Sequence, residues 1–319
     1  MNNLEGRAII FVAFVAVIFV TAANFLLVRL YCRRRRAPVP HNRVYRAAER
    51  VFLSTAAFGV LCMLYAWRIE PYWPKVIHVQ IASAKLAPGA HPIRIVEIAD
   101  IHSDPHPRVE GRLPAIIAAE HPDAIVVAGD STNSHRGIPI FRELMTDLAK
   151  IAPTFAVRGN WDEWAGADEQ LFGGTGVTDL NDEVVRREFH GTPIWIGGLQ
   201  TDSNMQISSL FAKAPPDQFR LFIHHYPDRI LPFGRWDGAA GQVDLMCAAH
   251  THGGQVALPF YGALVTFSRY DKQFEWGLHR VDSTWMYVNR GIGMEGGTAV
   301  RVRFWSRPEI TVIDIVPAS

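Results

Sequence analysis

Ile93-Arg-Ile-Val-Glu-Ile-Ala-Asp-Ile-His102, then Ala124-Ile-Val-Val-Ala-Gly-Asp130, then Thr154-Phe-Ala-Val157 ahead of Gly159-Asn160, are the stretches from which the fold is read. Each is a short apolar run that stops at polar residues. Between the first two, Gly111 to Glu120 has helical character, and His121-Pro122 ends it. Between the second and third, Ile140 to Ile151 has helical spacing, with Leu144, Leu148 and Ile151 on one side. Strand, helix, strand, helix, strand predicts a parallel sheet flanked by helices. Upstream, Val76 to Leu86 reads as a strand closed by Pro88-Gly89. Downstream, strands are expected at Val184–Phe189, Pro193–Ile196, Arg220–Ile223, Val243–Ala248, Thr284–Val288 and Thr311–Ile315. Their close succession predicts a second, mixed sheet. Gly234 to Gly241 and Pro259 to Trp276 read as loops or hairpins.

The strand ends carry the chemistry. Five motifs follow one another: Asp100-Ile-His102, Gly129-Asp130, Gly159-Asn160, His225-Tyr-Pro-Asp228 and His250-Thr-His252. They supply Asp, His and Asn and no thiolate, the ligand set of hard or borderline metal ions. Strand ends are where ligands bind in open α/β sheets. Residues two apart on a strand share a face, so Asp100 with His102, and His250 with His252, are expected to converge. Gly129 removes a side chain where Asp130 needs close approach. Any one motif alone is weak: Asp-x-His arises by chance, a lone Gly-Asp is usually a turn, and His250-x-His252 could be a solvated pair. Five in succession, mostly after strand patterns, point to a site for two metal ions, which is built for displacement at phosphorus.

The N-terminal part is of another kind. Ala8 to Val28 is almost unbroken apolar sequence. About 21 residues at roughly 1.5 Å each give about 31 Å, against a bilayer core of about 30 Å. A signal peptide is disfavoured, because Glu5 offsets Arg7 and an Arg cluster, not a small-residue cleavage site, follows. Val51 to Trp67 is a second apolar run, at the lower limit for a span. Between them lie Arg33-Arg34-Arg35-Arg36, Arg43, Arg46 and Arg50. A short Arg-rich loop stays cytoplasmic and also suits anionic lipid. Two spans would put the body outside, in the periplasm or cell exterior of a bacterium; one span would leave it cytoplasmic. Two spans are the preferred reading, with Tyr72 and Trp73 at the headgroups.

Charge separates the two regions. Residues 1–50 hold nine Lys/Arg against two Asp/Glu, and residues 69–319 hold 22 against 29. An acidic body argues against a nucleic-acid binder. Only Cys247 lies in the body, so no disulfide forms within it.

With these motifs in view, the sequence resembles the calcineurin-like metallophosphoesterases over residues from about 92 to 319. Asn289-Arg290-Gly291-Ile292-Gly293, Val302-Arg303-Phe304 and His250-Thr-His252-Gly-Gly-Gln255 are similar to a membrane-associated branch with UDP-2,3-diacylglucosamine diphosphatases and secreted phosphoesterases. The resemblance implies an α/β fold of two packed mixed sheets flanked by helices, in four layers. Together with the apolar runs it gives the expected organisation: a membrane anchor at 1–68 (spans 8–28 and 51–67), a connecting strand and linker at 69–91, and a catalytic domain at 92–319. It implies two divalent ions, Mn, Fe or Zn: Asp100, His102 and His252 on the first, Asp130 bridging, and Asn160, His225 and His250 completing the second. The family's His-x-Pro pattern selects His225 over His224. The implied reaction is attack of a metal-bridging hydroxide on a phosphodiester or pyrophosphate, with Asp130, Asn160 and His250 as catalytic residues. Arg290 and Arg303 are candidates to clamp a phosphate, with structural ion pairs as the competing reading.

Two departures stand out. Ala249 replaces a Gly before His250. Trp161 stands where the family has the His that protonates the leaving group. Indole cannot do that, so activated leaving groups, pyrophosphates among them, are expected to be favoured. Trp161, Asp162 and Trp164 could instead shape the pocket floor. The substrate read from the resemblance is a phosphate ester or pyrophosphate, with a lipid-linked compound such as UDP-2,3-diacylglucosamine as one form and no nucleic acid. An extracytoplasmic broad phosphoesterase is the alternative enzyme, and a non-catalytic metal-binding scaffold is the alternative of another class.

Overall fold

Apolar runs become strands here because both faces of each strand are covered. In the computed structural model, which describes residues 3–39, 42–164, 171–295 and 301–318, the chain divides into two units, Met1–Ile69 and Glu70–Ser319.

The first unit is two helices, α1 (Asn3–Arg35) and α2 (Arg43–Arg68). Both are long and apolar enough to cross a membrane. Ile10, Phe14, Val20 and Leu61 are exposed on their surfaces, an arrangement that suits lipid rather than water. Phe25 meets the ring of Tyr45 edge-on at 5.1 Å, and Arg29 Nη2 donates to Glu49 Oε2 at 2.9 Å. Helix α1 runs on through Arg35, so three of the four consecutive arginines close the helix instead of lying in a loop. Cations in the last turn complement the helix dipole, which favours this extension.

The second unit holds, among its described residues, fourteen strands: β1 (Lys75–Ser83), β2 (Ile93–Ile98), β3 (Ala124–Ala128), β4 (Thr154–Val157), β5 (Thr178–Asp179), β6 (Glu183–Phe189), β7 (Thr192–Gly198), β8 (Phe219–Ile223), β9 (Leu245–Ala248), β10 (Ala257–Leu258), β11 (Gly262–Ala263), β12 (Gly277–Val281), β13 (Thr284–Val288) and β14 (Glu309–Pro317). Its helices include α3 (Leu113–Ala119), α4 (Ile138–Ile151), α5 (Asn160–Trp164) and α6 (Ile207–Leu210).

One six-stranded sheet has the order β1-β14-β2-β3-β4-β5, the other β12-β13-β9-β8-β7-β6. Strands β2 to β5 are parallel, while β14 runs antiparallel to β2 and parallel to β1. In the second sheet β7, β8, β9 and β13 are parallel, with antiparallel β6 and β12 at the edges.

Alternate residues then sort into three apolar layers. Ile93, Ile95, Ala124 and Val126 of one sheet meet Ile194, Phe219, Leu221 and Leu245 of the other. Val96, Ile98, Ile125 and Val127 point the opposite way, onto Leu113 and Ile117 of α3 and Phe141, Leu144 and Leu148 of α4. Phe222, Met246 and Met286 pack on Ile207 and Leu210 of α6, with Phe211 and Ile230. The fold is therefore two mixed sheets, face to face, flanked by helices. Each fully buried Ile or Leu contributes roughly 1.5–3 kcal/mol, which is ample to hold the strand ends in place.

The expected strands all form, and those not expected are short or at an edge: β5, the hairpin β10–β11, and β12, whose His279 and Arg280 interrupt any apolar signal.

Candidate metal centre

Strand β2 stops at Ile98 and β9 at Ala248, so Asp100, His102, His250 and His252 all lie beyond their strands. Strand alternation therefore does not explain their convergence, contrary to the expectation from spacing. The backbone does. Asp100 (φ 44°), His102 (φ 45°), Asp130 (φ 55°), His250 (φ 72°) and His252 (φ 52°) are all left-handed. A left-handed residue at each alternate position turns the chain so that both members of a pair face inward. Such residues cost on the order of 1–3 kcal/mol each and gather at functional sites.

The strand ends are tied to one another. Asp100 N donates to Gly129 O and His102 N to Asp130 O, both at 3.0 Å. Gly129 has φ 89°, and a Cβ there would lie 2.7 Å from His225 Nδ1. Gly159 sits against the Asp130 carboxylate, with no room for a Cβ.

Two groups of side chains meet as a result. Asp100, His102, Asp130 and His252 each bring a ligand atom within 4.8 Å of the others, and Asp130, His225 and His250 do the same. Asp130 belongs to both. Asn160, at the start of α5, places Oδ1 3.0 Å from His225 Nε2.

The hydrogen positions follow from the partners. His102 Nδ1 faces Asn133 Oδ1 at 3.0 Å, and His225 Nδ1 faces Ala128 O at 2.9 Å. Both partners can only accept, so each Nδ1 carries its hydrogen, and in the neutral imidazole, the form that can hold a metal, each Nε2 turns a lone pair inward. His102 Nε2 then faces His252 Nε2 at 3.2 Å and Asp130 Oδ2 at 3.4 Å. His225 Nε2 faces Asn160 Oδ1, His250 Nδ1 at 3.2 Å and Asp130 Oδ2 at 3.3 Å. With these imidazoles neutral, acceptors crowd on acceptors, an arrangement that suits cations between them. The oxygen and imidazole donors fit two hard or borderline divalent ions, and the single thiol of the body, Cys247, stays buried in the apolar core.

The electrostatics agree. Burial would push Asp130 up, but His225, His102 and His250 hold its carboxyl down at about 2. Burial raises Asp100 to about 8, against the pull of His225. Burial would lower His225, yet Asp130 and Asp100 raise it to about 9. Burial lowers His102 to about 4 and His250 to about 3, so both are neutral, as ligands must be.

Around this centre stand further residues, of which the sequence had named Asp162, as a candidate for the pocket floor, and Tyr226, within the His225 motif, and had left Asn133 unmarked. Asn133 steers His102, and its own orientation is fixed by donation from Nδ2 to His102 O at 3.0 Å and Met294 O at 3.2 Å. Asp162 accepts Ser131 N and Gly159 N, both at 2.8 Å, and so locks the Gly129-Asp130 turn to the Gly159-Asn160 turn. The Tyr226 ring lies edge-on to His250 at 4.5 Å. His224 turns away and stacks on Phe222.

The expected substrate contacts are placed differently. Arg303 is fully buried and donates to Gly293 O, Ser306 O and Arg290 O, behind His252. Arg290 pairs with Glu309 at 2.9 Å and lies over the Trp276 ring. Both arginines brace the loops carrying the candidate ligands, in line with the structural ion pairs that were the competing reading. Trp161 does face the centre. Its main-chain N donates to Asp130 Oδ1 at 2.8 Å, and its ring meets His102 edge-on at 5.6 Å. The Trp164 side chain lies outside the described residues.

The chain is similar to known proteins. A family profile described as calcineurin-like phosphoesterase matches residues 93–254. The uncharacterized metallophosphoesterase YkuE of Bacillus subtilis is 29% identical over 278 residues, 79% of this chain and 88% of the relative. The phosphodiesterase YaeI of Escherichia coli is 28% identical over 298 residues, 87% of this chain and 100% of the relative. A transmembrane protein with metallophosphoesterase domain from Danio rerio is 25% identical over 298 residues, 84% of this chain and 62% of the relative.

Proposed function

Because this chain belongs to the calcineurin-like phosphoesterase family and is a metal-dependent phosphoester hydrolase, we propose that it cleaves phosphodiester or pyrophosphate bonds at a membrane surface. The observation that carries this reading is the pair of donor groups sharing Asp130. Asp100, His102 and His252 would hold one divalent ion, Asn160, His225 and His250 the other, and Asp130 both; Mn, Fe and Zn all fit this donor set. Ions so held would acidify water and neutralise charge building on the phosphoryl oxygens.

The protein's own share is positional. Asp130 is fixed by the Trp161 main-chain N–H. Asn133 and the Ala128 carbonyl hold His102 and His225 in one tautomer. Burial keeps His250 neutral. Trp161 offers no proton to a leaving group, which favours pyrophosphates and other activated leaving groups. The two apolar helices support a membrane anchor, and the Arg-rich stretch between the apolar runs favours a body on the outer side of a bacterial cell membrane. A tether favours a substrate that is itself membrane-bound: with the body outside, a lipid-linked phosphoester of the outer face, whereas a UDP-2,3-diacylglucosamine-type pyrophosphate, made on the cytoplasmic side, would require a single span and a cytoplasmic body.

The test is direct. Purified protein loaded with Mn should bind metal stoichiometrically and hydrolyse bis-p-nitrophenyl phosphate. Asp130→Asn should lose both while keeping its circular dichroism. Activity that survives complete metal removal would sink the reading.

A further inference from the structure

Three aromatic residues on the loops after His252 and Arg303 are both strained and exposed. Phe260 (φ 65°), Phe267 (φ 54°) and Trp305 (φ 58°) are left-handed, a conformation unusual for bulky side chains. Burial does not compensate: Phe260 is wholly exposed, and Phe267 and Trp305 are each 61% exposed. A strained residue that gains nothing from the core is kept for something outside it.

These residues belong to a larger lip beside the metal centre. The Phe267 ring is 6.5 Å from the His250 ring. Two residues on, Arg269 lies over Phe233, itself half exposed, and Phe233 neighbours Trp236 at 6.3 Å. Arg235 lies over Trp236. Phe260 is at the tip of the β10–β11 hairpin, where Lys272 sits 4.5 Å over Tyr261 and pairs with Glu275. The hairpin is fastened to the third loop, since Ala257 N donates to Phe304 O at 2.8 Å, beside Trp305. Arg307 lies over Trp73 at 3.9 Å. Aromatic rings interleaved with cations, on a unit whose net charge is otherwise acidic, form a surface matched to an anionic lipid headgroup layer, where rings settle and cations meet phosphate.

We propose that this lip, with Phe260, Phe267 and Trp305 at its crests, docks on the surface of an anionic bilayer and brings the metal centre to phosphoesters embedded there. The inference rests on the reading of a membrane-anchored hydrolase and narrows its substrate to an amphiphile whose phosphate lies at headgroup depth. A soluble diester would reach the centre without the lip.

The experiment uses the full chain in nanodiscs of phosphatidylglycerol and acyl-brominated phosphatidylcholine. Phe260→Trp and Phe267→Trp each add one indole. The added emission should shift to the blue, lose most of its intensity to the brominated chains and resist aqueous iodide. Emission quenched by iodide and untouched by bromine would overturn the proposal. Shielding from both quenchers, as a protein partner would give, would overturn it too. Should those variants misfold, Trp305→Phe reads the same by difference: removal of a bromine-quenched component supports the lip, and an unchanged quenched fraction refutes it. Metal content and bis-p-nitrophenyl phosphate hydrolysis, measured on the same samples, report the hydrolase reading separately.

Discussion

Asn133 grips the imidazole of His102 from the side away from the centre, and so decides which nitrogen faces Asp130. Removing such a partner typically costs about 10–100-fold in metal affinity or activity. Asn133→Ala should therefore weaken Mn binding by that order in calorimetry, with the melting transition of the metal-free protein little changed. Protons compete for the same lone pairs. His225, raised to about 9, and Asp100, raised to about 8, are both protonated at neutral pH in the metal-free protein. Ligands bind only deprotonated. Metal uptake at neutral pH should thus release protons, and affinity should climb with pH until it levels off above about 9. Calorimetry in buffers of different ionisation enthalpy measures the release; identical heats in all buffers would contradict it. At this scale the sequence was legible in the residues that gather at the centre, because Asp, His and Asn in that succession have few other uses. It was silent on Asn133, whose importance lies in a contact between two loops. It misled on Arg303, whose charge points to the surface in a sequence and whose guanidinium is fully buried by three carbonyls.

The elements that matter most are not strands but the turns after them. Each ligand pair owes its convergence to left-handed backbone just past a strand, a device that residue spacing imitates and does not reveal. Gly159 shows how tight the junction is. A methyl group there would strike the Asp130 carboxylate and backbone, and a misplacement of about 1 Å can cost on the order of 10²-fold. Gly159→Ala should lower hydrolysis of bis-p-nitrophenyl phosphate by about that factor and broaden the metal-binding isotherm, while urea unfolding shows an intact core. Strands β3, β4 and β13 could be read from sequence because every one of their residues lies between two packed layers or nearly so. Strand β12 could not: it is a sheet edge, and its His279 and Arg280 reach solvent. The hairpin β10–β11, two residues on each strand, carries no periodicity to detect.

For the whole molecule, charge and hydropathy set the orientation. Nine Lys/Arg precede residue 51, against two Asp/Glu, and Arg33 to Arg36 lie in the last turn of the first long apolar helix and just past it, ahead of the second. Positive residues resist export, so both ends of the helical pair should face outward. Alkaline phosphatase fused after Ser319 should be active in a bacterial host and a green fluorescent fusion dark. The reverse pattern would place the body in the cytoplasm and make a single span the better account. The division into a helical and an α/β part was legible, since bilayer-length apolar runs and short strand-length runs differ in kind. The sheet order was not, because nothing in Thr311–Ile315 announces its neighbours.

That order has a temporal side. Strand β14 lies between β1 and β2 and is hydrogen-bonded to both, although every other strand precedes it in the chain. During synthesis β1 emerges early and finds no hydrogen-bonding neighbour until the ribosome has delivered residues 309 to 317. For that whole interval a long backbone edge hangs open, the kind that recruits stray chains. A protein delivered head first to the far side of a bilayer would have to wait there, half zipped, and whatever shields it in the meantime matters as much to its yield as any contact in the finished fold.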